Sequence, residues 1–148
     1  NTFGINDNFN LESSHFIPAL IKKIHLAIEN KQNFIKVWGT GTPRRELIHT
    51  DDLADAVVFF MNKKTKENLI NIGTGYEKSI NQFAKLLIKI SNKKIEIINI
   101  KKNLNGVKRK LLDSNLAKKY GWKPKENIYE KLVETYNFYR KHHKIMRQ

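Results

Sequence analysis

Thr50-Asp51-Asp52-Leu53-Ala54-Asp55-Ala56-Val57-Val58-Phe59-Phe60-Met61-Asn62, with Leu69-Ile70-Asn71-Ile72-Gly73 close behind, is the stretch that decides the fold class. Thr50 is a capping residue, and Asp51 and Asp52 suit the positive end of a helix dipole, so a helix is predicted over 51–62. From Leu53 onward that helix has almost no polar face, and a helix apolar nearly all round must be covered on several sides. Residues 69–72 read as a short buried strand closed by Gly73. A helix that needs cover on more than one side, next to a buried strand, points to layered α/β packing.

Working outward, residues 1–14 are polar and Asn-rich and read as a loop. Ser13 or Ser14 can cap a helix with Pro18 in its first turn. Phe16, Ile17, Leu20, Ile21, Ile24, Ala27 and Ile28 then recur at helical spacing, which predicts an amphipathic helix over 16–30. Phe34–Trp38 reads as a strand, Gly39, Gly41 and Pro43 as a turn, and 45–49 as a second short strand. Downstream, Ser79 caps a helix with Ile80, Phe83, Ala84, Leu87 and Ile88 on one face, and 95–100 is a strand. Residues 101–110 form a basic loop around Gly106. Asp113 caps a short helix to Tyr120 that Gly121-Trp122-Lys123-Pro124 stops, and a last helix covers 127–142. Helices and strands alternate without internal repeats, as in an α/β chain.

The 148 residues are 40% hydrophobic and 28% charged, about one domain's worth of chain able to bury a core. Lys and Arg number 28 against 14 Asp and Glu, a formal charge of +14, which favours anionic partners: nucleic acid, an acidic membrane or phosphate-bearing small molecules. Of the basic residues 23 are lysines, scattered as on a solvated surface. The arginines are more localised, Arg44 and Arg45 in one turn and Arg109 in the basic loop, and Arg grips phosphate bidentately. Without cysteine there is no disulfide framework, zinc knuckle or thiol nucleophile. The longest apolar run, 56–61, falls far short of the roughly 20 residues of a membrane span, and no signal peptide is visible. A start at Asn1 instead of Met reads as a fragment or processed product.

Three places look chemical. Gly73-Thr74-Gly75 reads as a tight turn between strand and helix, but G-x-G-x-x-G fails at Lys78, so no dinucleotide fingerprint is present. His15 stands directly before a helix, as a capping-region residue or as chemistry. Trp38-Gly39-Thr40-Gly41-Thr42-Pro43-Arg44-Arg45-Glu46 is either a hairpin loop or a site that stacks a base or sugar on Trp38 and holds phosphate with Arg45. His25, His49, His142 and His143 show no metal-ligand spacing with Asp or Glu, so no metal is expected.

Taken together, several segments resemble the GDP-L-fucose synthase family of the extended short-chain dehydrogenase/reductase superfamily. They are Asn8-Phe9, Ser14-His15-Phe16-Ile17-Pro18-Ala19-Leu20, Val37 through Glu46, His49-Thr50-Asp51-Asp52-Leu53-Ala54-Asp55-Ala56, Ile70 through Gly75, Arg109-Lys110-Leu111-Leu112-Asp113 and Gly121-Trp122-Lys123-Pro124. The similarity runs over residues 1 to about 140. It is to the C-terminal half of such enzymes: the glycine-rich NADP loop, the Tyr-x-x-x-Lys pair and the catalytic serine and cysteine of the family are absent here. The implied fold is therefore α/β, the C-terminal substrate-binding portion of an extended short-chain dehydrogenase/reductase with its Rossmann half missing. Residues 1–148 form that region, and 51–75 pack on the absent half.

The family reaction is NADPH-dependent. GDP-4-keto-6-deoxy-mannose is epimerised at C3 and C5 and reduced at C4. The resemblance implies His15 as the proton donor, because a histidine titrates near working pH. It implies Asn1, Thr2 and His15 at the cofactor, and Lys23, Trp38, Arg45 and Asn105 at the substrate. Thr2 stands where the family is apolar, Phe3 where it has Tyr, Lys23 where Arg is common, and Asn105 where better-known members have Asp. On an ideal helix Lys22 lies closer to His15 in angle than Lys23 does, although the resemblance favours Lys23. The implied partners are a GDP-linked deoxyhexose, an N-terminal Rossmann half and a second copy in a homodimer, with no nucleic acid and no membrane. The implied location is cytoplasmic, and this chain alone is expected to turn over nothing. A related nucleotide-sugar epimerase or dehydratase, a basic nucleic-acid-binding module and a non-catalytic remnant are the rival readings.

Overall fold

The apolar positions spaced three and four apart between residues 16 and 29 do become one buried face: Ile17, Leu20, Ile21, Ile24 and Ala27 are all buried. The computed structural model describes residues 1–100 and 106–145. Its elements are β1 (Thr2–Phe3), α1 (Phe16–Glu29), β2 (Phe34–Trp38), β3 (Arg44–Glu46), β4 (Ile48–His49), α2 (Thr50–Met61), β5 (Glu77–Ser79), α3 (Ile80–Ser91), β6 (Glu96–Ile100), β7 (Arg109–Lys110), α4 (Asn115–Lys119) and α5 (Ile128–His142). Helices α1, α3 and α5 share the main core with β2, where Phe83, Leu87, Leu132 and Tyr136 meet the α1 face. Phe9 is pinned there by Tyr139, ring centroids 4.4 Å apart. A second, smaller core gathers Ile48, Ala56, Ala117 and Trp122 around α2.

Among the described residues the strands are short and fall into three sheets. Parallel β2 and β6 pair from Phe34 opposite Glu96 to Trp38 opposite Ile100. Parallel β1 and β4 set Thr2 opposite Ile48. Strand β3 lies between antiparallel β5 and parallel β7. The strand expected at 45–49 is thus split at Leu47, because its two ends serve different sheets. For the same reason the 39–43 turn is no hairpin: β2 pairs with β6, and β3 pairs elsewhere. Residues 69–72 form no ladder with any of the described residues, since a strand exists only where a neighbour takes its N–H and C=O groups. Strand β7 lies inside what reads as a basic loop.

Caps also differ from expectation. Helix α1 starts after His15, with no side-chain cap from Ser13 or Ser14. At α2 it is His49, not Thr50, that caps, its Nδ1 accepting from the Asp51 N–H at 3.2 Å. Ser114 holds the cap position of α4, while Asp113 accepts from Asn115 N–H at 2.9 Å. Ser79 caps α3 as read, in a reciprocal box with Gln82. The acidic start of α2 is a clip. Buried Asp52 accepts the N–H groups of Lys125 at 2.7 Å and Glu126 at 3.2 Å. Asp55 accepts from Trp122 Nε1 at 3.0 Å and pairs with Lys125. The apolar side of α2 stays bare in this chain: Val57 is 54% exposed, Val58 59%, Met61 79% and neighbouring Leu69 78%. No described helix is long and apolar enough to cross a membrane.

Candidate functional site

His15 occupies the cap position of α1 with extended backbone, φ −68° and ψ 166°. Its ring is exposed, and it stands between two clefts. The first, about 460 Å³, is lined by His15 with Thr2, Phe3, Gly4, Asp7, Thr50 and Asp51, among others. It opens beyond the carboxyl ends of parallel β1 and β4, where α2 begins, the position at which α/β sheets take ligands. Gly4 makes the close approach possible, because a Cβ there would come within 2.5 Å of Thr50 Oγ1. Burial pushes the Asp7 carboxyl up, against the Asn8 N–H and the neighbouring His15, which draw it down. Asn1 lies just before β1; its Nδ2 donates to the Glu46 carbonyl at 3.2 Å and its own carbonyl accepts from Ile48 N–H at 3.0 Å.

The second cleft, about 210 Å³, is lined by the residues on either side of His15, Ser14 and Phe16, together with Leu11, Glu12, Lys23 and Trp38. Trp38 is 56% exposed, so an aromatic face stands at the surface. Lys23 Nζ lies 4.9 Å from its ring centroid, a cation–π distance, and donates to the Lys36 carbonyl at 2.9 Å. Burial draws the Lys23 ammonium pKa down. Between the two candidate lysines, it is Lys23 that the helix presents to this cleft.

Arg45 is not brought to Trp38. Its Nη1 donates to the carbonyls of Arg44 and Val107, both at 2.8 Å, and so anchors the 106–107 backbone. The cleft beside it, about 750 Å³, is lined by Arg44 and Arg109 with Thr42, Pro43 and residues 106–108. Arg109 forks onto Glu77, Nη2 to Oε1 at 2.7 Å, and Arg44 pairs with the same carboxylate. Arg109 first, then Arg44, holds the Glu77 carboxyl below its usual range. Asn105 lies outside the described residues.

Some contributors escape a sequence reading. Ser14 Oγ is buried without a hydrogen-bond partner, in a residue that lines the second cleft. Buried Glu46 accepts from Gly75 N–H at 2.6 Å and Leu112 N–H at 3.1 Å. The Gly73-Thr74-Gly75 turn is therefore clamped to β3, which leaves the Gly75 N–H committed within the chain. A visible signal existed only for Ser14, through its place beside His15.

Similarity to known proteins fits this arrangement. Residues 1–73 match the model of the NAD dependent epimerase/dehydratase family. A probable GDP-L-fucose synthase of Oryza sativa subsp. japonica is 41% identical over 139 residues, 94% of this chain and 42% of that protein. The chain thus spans less than half the length of that curated relative. The GDP-mannoheptose C4 reductase of Campylobacter jejuni, solved with NADP bound, superposes with a TM-score of 0.77 at 28% identity, over 95% of this chain and 51% of the other. A GDP-L-fucose synthetase of Naegleria fowleri, at 24% identity, shares the fold with a TM-score of 0.91 over 100% of this chain and 46% of its own. Residues 1–73 thus match that family's model, and the chain as a whole is similar to the C-terminal portion of GDP-L-fucose synthases.

Proposed function

We propose that the protein is an NADPH-dependent GDP-4-keto-6-deoxy-mannose 3,5-epimerase/4-reductase that makes GDP-L-fucose, and that this chain supplies its nucleotide-sugar-binding portion. The observation that carries the reading is the position of His15 between two clefts. One lies at the strand ends, next to Thr2. The other carries Lys23 and Trp38. A keto-sugar reaching from the second cleft toward the first passes the imidazole. Carbons next to a ketone are acidic, and inversion requires a proton to leave one face and another to arrive on the opposite face. His15 is the donor. Trp38 packs on the nucleotide-sugar, and Lys23 and Arg45 neutralise the diphosphate, with Asn105 hydrogen-bonding to the substrate. Asn1, Thr2 and His15 would hold the nicotinamide end of NADPH, which supplies the hydride for C4.

The bare side of α2, with residues 69–75, packs on an N-terminal Rossmann half that binds the rest of the cofactor. Three large apolar side chains exposed on α2, with Leu69 exposed as well, suit such an interface. A homodimer and a cytoplasmic location complete the reading. A related reductase of GDP-linked heptoses is the second reading, supported by the 28% identity to the Campylobacter enzyme. The test incubates the full enzyme with NADPH and the keto-sugar in deuterated water. GDP-L-fucose carrying deuterium at C3 and C5 is expected, and His15→Gln should abolish incorporation at one or both carbons. Unchanged exchange in the variant sinks the histidine assignment; turnover of a GDP-keto-heptose alone favours the second reading.

A further inference from the structure

On the side of α1 that faces α5, three ligating side chains converge. His25 and Glu29 are one helical turn apart on α1, and His143 follows the last turn of α5. His25 Nε2 lies 3.3 Å from Glu29 Oε1, and His143 Nε2 lies 3.6 Å from that same oxygen. One ligand atom from each residue falls within 4.8 Å of the other two. The two imidazoles lie 4.3 Å apart between centroids, their planes tilted by 54°. The His25 side chain is only 8% exposed, and its Nε2 has no aligned hydrogen-bond partner despite the nearby carboxylate. A buried imidazole nitrogen aimed at a carboxylate and a second imidazole, without a bond of its own, is a ligand in waiting.

The spacing suits a particular kind of ion. With zinc–ligand bonds near 2.0–2.1 Å, neighbouring ligand atoms of a tetrahedral site are roughly 3.3–3.5 Å apart. The two His–Glu separations already stand close to that edge. Two imidazoles and a carboxylate are a borderline-soft set that suits zinc, while calcium and magnesium prefer oxygen alone. Glu29 is half exposed, which leaves a side from which an ion can enter and a fourth position for water. His142 is turned elsewhere, its ring against Phe138 and its Nδ1 3.0 Å from the Phe138 carbonyl.

We propose that His25, Glu29 and His143 form a zinc-binding site that ties α1 to the end of α5, away from the clefts beside His15. The ion would be structural, because none of the three residues lines either of those clefts. The site rests on these side chains alone and not on the proposed reaction.

The test uses the untagged protein, stripped with chelator and titrated with zinc chloride by calorimetry, with cobalt(II) as a spectroscopic probe. One zinc ion per chain and a higher melting temperature are expected, with the intense visible absorption of a tetrahedral cobalt site. Glu29→Gln, at a half-exposed position, and His143→Ala, just past the end of α5, should each weaken zinc by at least about tenfold and remove the thermal shift. His142→Ala should leave both unchanged. His25→Ala is set aside because that ring packs against Tyr139, 5.3 Å away, and the variant can fail to fold. A parent that takes up no zinc, or Glu29 and His143 variants that bind as the parent does, overturns the site.

Discussion

Replacing Asp52 tests the clip that ties α2 to the 125–126 backbone. Asp52 is 1% exposed. Its Oδ1 receives the Lys125 N–H at 2.7 Å and the Glu126 N–H at 3.2 Å, and Oδ2 receives the latter again at 3.4 Å. Asp52→Ala removes both acceptors. Hydrogen bonds to a charged group contribute about 1.5–3 kcal/mol each. Lys125 is an exposed residue, so water can reach that backbone in the variant, and a loss of about 2–4 kcal/mol is expected in place of the full sum. For a chain of this size that lowers the melting temperature by roughly 5–12 °C. Asp52→Asn keeps the doubly bonded oxygen and loses only the charge, so it should cost about 1 kcal/mol. Urea titration of both variants measures this, with an unchanged slope showing that the two-state comparison holds. In the full enzyme, turnover per folded molecule should survive Asp52→Asn. An alanine variant within 0.5 kcal/mol of the parent, taken as roughly the range of a neutral surface change, refutes the clip. So does an asparagine variant as damaging as alanine.

Two further predictions concern binding and pH. Arg45→Ala should weaken GDP binding by roughly tenfold to a hundredfold, the loss of a charge-assisted contact; calorimetric affinity within twofold of the parent would leave Arg45 only its anchoring of the Val107 carbonyl. His49 is 3% exposed, and burial holds its imidazole below the ordinary 6.5 despite the pull of Asp51. Between the folded value and 6.5 the unfolded chain binds more protons, so this contribution to stability is whole above pH 6.5 and is lost as pH falls through the folded value. Burial shifts His25 in the same direction. The carboxyls of Asp51, Asp55 and Glu77 are held below their ordinary range, further from neutrality than the histidines. Urea midpoints should therefore drop from pH 7 to pH 5, and a flat or rising profile would contradict the burial of neutral histidines.

How much of this was legible in the sequence depends on the range of the interaction. Helix α1 and helix α3 were readable because their signals are local: apolar residues three and four apart, and Ser79 at the cap position of α3. Strand β2 was readable because alternation and a glycine turn bound it on one side. The single strand expected at 45–49 failed at Leu47, because which sheet each end joins is settled by residues far along the chain, Tyr76 and Asn1 among them. Residues 69–72 carry strand composition, but a ladder needs a neighbour, and among the described residues none pairs with them.

The candidate site divides along the same line. His15, Lys23 and Trp38 were legible as types in a motif, and the fold adds that Lys23 and Trp38 meet over one cleft while His15 borders another. That order gives the proposed chemistry its direction, from nucleotide-sugar to cofactor, and no spacing along the chain encodes it. Arg45 shows the limit from the other side. Its place in a glycine turn beside Trp38 suggested a shared pocket, yet the strand that carries it belongs to a different sheet from β2, and its guanidinium turns to the 106–107 backbone. If it reaches the diphosphate, it does so from the side of the Val107 carbonyl that it holds, so that backbone lies near the nucleotide as well. The two ends of the proposed ligand would then be read by elements that only the fold brings together: the entry to α1 at the sugar, and β3 with the 106–107 backbone before β7 at the phosphates.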